Sequence, residues 1–268
     1  MESEVIRDRF WIWGHDVGSH DNQFGLEKTS RMTPAEGALY LNVPNLILVR
    51  YNNLPVLPFE QYALAFRPLK QVVWSIVGAG GATDNRELED ACKLANRFPN
   101  FSGVVMDDFF RYDSVSGRVA VHTADELKAI QDRLTVADRK LDLWVVFYNH
   151  QLEHPVAEHL ATCDVVTFWT WTSEHLASLE SNFARVEQLA PSSRKVLGCY
   201  MYDYGNGKPM PVDLMKYQCE MGLRWLREGR IDGMIFLASC ICDMEFETVE
   251  WTRQWIHEVG DKPLSLHN

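Results

Sequence analysis

The chain has 268 residues, 46% hydrophobic and 24% charged, the balance of a soluble globular protein with a large core. Its formal net charge of −11 argues against nucleic acid or an anionic membrane as the main partner. No apolar run reaches transmembrane length, the amino-terminal MESEVIRDRF lacks the pattern of a secretory leader, and the six cysteines show no disulfide-framework spacing, so reduced thiols and a cytoplasmic location are expected.

Short β-rich apolar runs alternate with helical patterns along the whole length. The first run, 9–16 (RFWIWGHD), ends in His15 and Asp16, with His20 and Asp21 beyond it. Thr33-Pro34-Ala35-Glu36 then opens a helix, combining a capping box with proline at the first helical position. The second run, 45–51 (NLILVRY), ends at Arg50-Tyr51-Asn52-Asn53, and the third, 71–78 (QVVWSIVG), at the turn Gly78-Ala79-Gly80-Gly81. The fourth, 102–108 (SGVVMDD), ends in two adjacent carboxylates, Asp107 and Asp108. Thr123-Ala124-Asp125-Glu126 repeats the capping box.

In the second half, 142–150 (DLWVVFYNH) ends in Tyr148-Asn149-His150, and 164–171 (DVVTFWTW) in Trp169-Thr170-Trp171. Run 195–203 (KVLGCYMYD) leads into Tyr202-Asp203-Tyr204 and the loop Gly205-Asn206-Gly207-Lys208. Pro211-Val212-Asp213 opens an amphipathic helix that Gly229 closes, and 232–240 (DGMIFLASC) ends the series, with Asp243 beyond.

Most runs are nearly continuously apolar, as strands covered on both faces should be. Eight strand–helix units imply right-handed βαβ crossovers and a parallel sheet, and so an α/β fold consisting of a single (β/α)8 TIM barrel over residues 1–268. A doubly wound open sheet is disfavoured because no G-x-G-x-x-G follows the first run. In a TIM barrel the active site forms at the C-terminal ends of the strands, where this sequence gathers its polar and aromatic residues.

Successive strand residues point to opposite faces, so one of the two adjacent carboxylates is expected to face the barrel axis. Asp107 shares its parity with Gly103 and Val105, which suit a narrow interior, and Asp108 would then turn toward the helix layer, held by loop amides or Arg111. The run Gly103-Val-Val-Met-Asp-Asp-Phe-Phe110 resembles the fourth-strand motif of barrel glycoside hydrolases and glycosidase-like barrels, in which a glycine-apolar stretch ends in an aspartate. That resemblance implies O-glycosyl hydrolysis and puts the inward catalytic aspartate at Asp107. Many such enzymes have a glutamate acid/base on strand 4 or 5, whereas strand 5 here ends Tyr148-Asn149-His150 and Glu153 follows only in the loop, leaving the proton donor open.

Hydrolysis of a glycosidic bond takes one carboxyl to protonate the leaving oxygen and another to stabilise, attack or activate water at the anomeric centre. Asp203, on the facing seventh strand, is the candidate second carboxylate, with Asp108 beside Asp107 and Asp16, Glu174 and Asp243 in reserve. Trp13, Tyr51, Tyr148, Trp169, Trp171, Tyr202 and Tyr204, with the runs WTW (169–171) and YMYDY (200–204) foremost, are candidate stacking surfaces for the apolar faces of a sugar. Trp11 is read as core, and His15, Asp16, Arg50, His150 and Glu174 are candidate polar contacts. The expected partner is a carbohydrate substrate, with no metal and no cofactor. The alternatives are a metal-dependent hydrolase or isomerase of a sugar or sugar phosphate, using His15, Asp16, His150, Asp107 and Asp203 as ligands, and a non-catalytic carbohydrate-binding barrel.

Overall fold

A computed structural model describes residues 4–84 and 86–264. Eight parallel strands close into a barrel: β1 (Phe10–Gly14), β2 (Asn45–Leu48), β3 (Gln71–Val77), β4 (Phe101–Met106), β5 (Asp142–Tyr148), β6 (Val165–Trp169), β7 (Arg194–Tyr200) and β8 (Gly233–Leu237). Each pairs with its neighbours in sequence, and β1 pairs with β8, Phe10 opposite Met234 through Trp13 opposite Leu237, to close the ring. A helix follows every strand: α1 (Pro34–Leu41), α2 (Phe59–Ala65), α3 (Glu87–Arg97), α4 (Ala124–Asp132), α5 (Ala157–Thr162), α6 (Leu179–Leu189), α7 (Val212–Arg227) and α8 (Glu247–Val259).

The local signals act where the sequence places them. Thr33 and Thr123 cap α1 and α4, each side chain accepting the amide of the glutamate three residues on while that glutamate returns the bond. Beyond α7, Gly229 adopts a φ of 68°, the left-handed conformation that ends a helix at little steric cost. The strands end earlier than their apolar runs suggest. β4 stops at Met106 and β7 at Tyr200, so Asp107, Asp108, Tyr202 and Asp203 all lie beyond regular pleating.

The barrel interior is filled largely with tryptophan. Trp11 and Trp144 meet edge to face at 5.0 Å, and Trp13 meets Trp169 in the same way at 5.2 Å. Room for Trp169 comes from Gly198 on β7, where a Cβ would sit 2.0 Å from the indole. Trp74 points the other way, into the helix layer among Phe59, Phe66 and Phe101. All six cysteines are unpaired, five of them buried. No helix among the described residues is long and apolar enough to cross a membrane.

Candidate active site

A cavity of about 270 Å³ opens at the C-terminal mouth of the barrel. Trp13 and Leu237 contribute from the strands, and the wall carries Asp107, Asp108, Tyr148, Trp171, Tyr200, Tyr204, His15, His20, Phe24 and Tyr51. A larger depression, about 590 Å³, runs along residues 116–126 against Glu158 and His159, but it lacks the carboxyl pair.

Both aspartates line the mouth cavity, against the expectation that only one could. Strict alternation ends with β4 at Met106, and Asp108 takes a left-handed φ of 44° that swings its side chain back over the mouth. There its Oδ1 accepts the Tyr148 hydroxyl at 2.9 Å and its Oδ2 accepts the Gly80 amide at 2.7 Å. A loop amide therefore holds Asp108, and Arg111 packs instead against Gly81.

Asp107 is only 5% exposed, and its Oδ1 accepts the Asp108 amide at 2.9 Å. Burial, reinforced by the neighbouring Asp108 charge, pushes its pKa well above the usual carboxylate range. Its Oδ2 has no hydrogen-bond partner among the described residues. Burial also raises the Tyr148 and Tyr200 hydroxyls well above the ordinary phenol value, and both aspartates add to the shift.

His15 lines the cavity with both ring nitrogens engaged, Nδ1 to the Val49 carbonyl at 2.9 Å and Nε2 to the Trp13 indole N–H at 3.0 Å. Burial pushes its pKa down to about 4, with the Val49 carbonyl and Asp108 opposing. The ring is therefore neutral, with Nδ1 donating and Nε2 accepting. His20 lies over it and meets the Tyr204 hydroxyl through Nδ1 at 3.0 Å. Trp171, half-buried, stands edge to face with Tyr148 and Tyr200.

The other predicted contacts go elsewhere. Asp203 is fully buried beyond β7 in a short hairpin, Tyr202–Asp203 against Lys208–Pro209. Its oxygens accept the amides of Ser173 and Asn206, both at 3.3 Å, and the Asn206 side chain at 2.9 Å, so it organises the loops outside the cavity lining. Glu174 joins that cluster from the exposed side through Asn206 and Lys208. Tyr202 is buried and donates to the Phe24 carbonyl at 3.0 Å, pinning the loop after β1 to the loop after β7.

Trp169 is 1% exposed beneath the cavity, its indole N–H on Thr167 Oγ1 at 2.8 Å, which makes it core rather than stacking surface. Arg50 turns to the helix layer, pairs with Glu87 and lies over the Phe59 ring. Asp16 accepts the Val17 amide, Asp243 binds Ser30 and the Arg31 amide, and His150 stacks on Tyr148 outside the lining.

His20 and Phe24 were absent from the predicted contacts, whereas Tyr51, Tyr200 and Tyr204 stood among the candidate aromatics of the strand ends. Tyr200 carried a usable signal, because it shares the parity of Gly198 on β7. His20 and Phe24 reach the site by a loop fold that no periodicity encodes. Among the described residues no three His, Cys, Asp or Glu side chains are grouped so as to hold a metal ion.

The chain matches no protein-family model and no curated protein. Its similarity lies in solved structures. A putative α-L-fucosidase from Bacteroides thetaiotaomicron matches at a TM-score of 0.60 and 11% identity, over 97% of this chain and 99% of that one. A xylanase–amylase inhibitor protein, XAIP-III, matches at 0.58 and 14%, over 94% and 98%. The active domain 2 of a chitinase from Pyrococcus furiosus matches at 0.56 and 13%, over 88% and 85%. The shared feature is the barrel. At these identities the likeness shows the fold alone, and an aldolase barrel matches as well, at 0.52.

Proposed function

We propose that the chain hydrolyses a glycosidic bond at the mouth cavity, with Asp107 as the acid and Asp108 as the charged partner. The observation that carries this reading is the pair of adjacent carboxyls on one aromatic wall, one of them buried beside its neighbour, an environment that raises its pKa toward the range of a general acid. Asp107 would donate its proton to the leaving oxygen as the C–O bond breaks. Asp108, steadied by the Tyr148 hydroxyl and the Gly80 amide, would face the positive charge developing at the anomeric carbon. Water adding to that carbon returns a proton to Asp107. These roles replace the pairing with Asp203, whose carboxylate is occupied by Ser173 and Asn206. The fucosidase and chitinase names among the similar barrels fit this reading.

The test is a screen of aryl glycosides and oligosaccharides with the wild-type protein and with Asp107→Asn. Loss of a positioned general acid lowers kcat by about 10²–10⁴-fold. The loss should be largest for substrates with poor leaving groups, which depend most on protonation. Wild-type kcat/KM should fall as pH rises through the elevated Asp107 pKa, and the variant should lack that limb. Saturable sugar binding without turnover would instead make the cavity a carbohydrate-binding site.

A further inference from the structure

The cavity wall also constrains the charge of its occupant. Among the described residues no lysine or arginine lines it. Arg50 is drawn off by Glu87, and Arg111 lies exposed against Gly81 at the rim. The two lining histidines are neutral: burial lowers both, and His15 has each ring nitrogen already engaged. What remains is an acidic pair, one of whose oxygens (Asp107 Oδ2) is unpartnered, enclosed by the rings of Trp13, Phe24, Tyr51, Trp171, Tyr200 and Tyr204.

An anionic sugar would meet the negative charge of Asp108 with no guanidinium fork on the wall to receive it. A cation would meet opposite charge and aromatic faces together, the surroundings in which cation–π attraction is strongest. The volume, about 270 Å³, is just under the roughly 300–1,000 Å³ typical of drug-sized ligand pockets, which suits a single ring.

Resting on the glycosidase reading above, we propose that the cavity takes one sugar ring bearing a free ammonium group, an amino sugar with unacylated nitrogen, and rejects uronates and sugar phosphates. Asp108 supplies the counter-charge, the buried Asp107 carboxyl a neutral hydrogen-bonding group beside it, and the aromatic wall supplies the ring contacts and the cation–π faces.

Calorimetric titration of the wild-type protein with free monosaccharides tests this without requiring turnover. The probes are the 2-amino-2-deoxy derivatives of glucose, galactose and mannose, each beside its N-acetyl form, its parent hexose and its uronic acid, at a pH where the amine is protonated. At least one amine should bind about tenfold or more tighter than all three of its counterparts, with the uronate weakest. Asp108→Asn should shrink that preference, and Trp171→Leu carries the same expectation should the first variant fail to fold. Equal affinities across a set, a tighter uronate, or no saturable binding of any amine would overturn the proposal. Glycoside turnover without amine preference would sink it and leave the glycosidase reading standing. Amine preference without turnover of any glycoside would do the reverse.

Discussion

Asp107 sits where a charge is poorly tolerated, and that has a thermodynamic side separate from catalysis. Its folded-state pKa lies well above the unfolded aspartate value of about 3.9. The stability this group contributes is therefore fully present below about pH 4 and is lost as pH rises through the raised folded value. Asparagine keeps an acceptor for the Asp108 amide and never ionises. Asp107→Asn should thus melt with the wild type near pH 4 and above it at neutral pH, as parallel calorimetric scans at the two values would register. A variant melting lower at neutral pH would mean that the carboxylate is charged and stabilising in the native state. The choice of Asp107 as an inward residue was readable from parity with Gly103 and Val105. The inward swing of Asp108 was not, because it depends on one left-handed backbone angle just past the strand end.

Among the elements, the strands and capped helices were legible because their causes are local: apolar runs covered on both faces, and threonine three residues before glutamate. The loops at the barrel mouth were not, since their partners lie far off in sequence. Asp203 shows the difference. Alternation carried past Tyr200 would bring Tyr202 rather than Asp203 to the axis, and β7 ends there in any case, leaving the carboxylate to be claimed by Ser173 and Asn206. Asp203→Ala should leave the buried Ser173 amide unpaired and cost about 1–3 kcal/mol. Its effect on turnover should be small beside that of Asp107→Asn, which urea denaturation and steady-state kinetics on one preparation would separate. A loss of turnover matching that of Asp107→Asn at unchanged stability would restore Asp203 to the chemistry.

At the scale of the whole molecule, the barrel is a packed core that happens to carry polar residues at one end. Trp169 belongs to that core, which changes what its removal should do. Trp169→Ala should cost about 3–5 kcal/mol, the usual penalty for emptying a large aromatic site, before any effect on ligand affinity is seen. Gly198→Ala approaches the same contact from the other side. The added methyl would overlap the indole, and such overpacking costs about 1–3 kcal/mol or more. Chemical denaturation of both variants checks the pair, and near-wild-type stability in either would show that the interior can repack around it. The eightfold plan could be read from the alternation of runs. The place of Trp13 and Trp169 in the filling could not, since both served equally well as sugar platforms until their depth was known.

The two indole pairs on the barrel axis, Trp11 with Trp144 and Trp13 with Trp169, make the core optically active. Rings held edge to face at 5.0 and 5.2 Å couple their electronic transitions, so the folded protein should show an exciton couplet in circular dichroism that vanishes cooperatively on heating. Trp171, half-buried on the cavity wall, stands apart from those pairs and should report on the site by its fluorescence. One molecule thus carries native reporters for folding and for occupancy, the Trp11–Trp144 pair lying clear of the cavity lining. A sugar that quenches emission while leaving the couplet untouched would be seated at the mouth of an intact barrel.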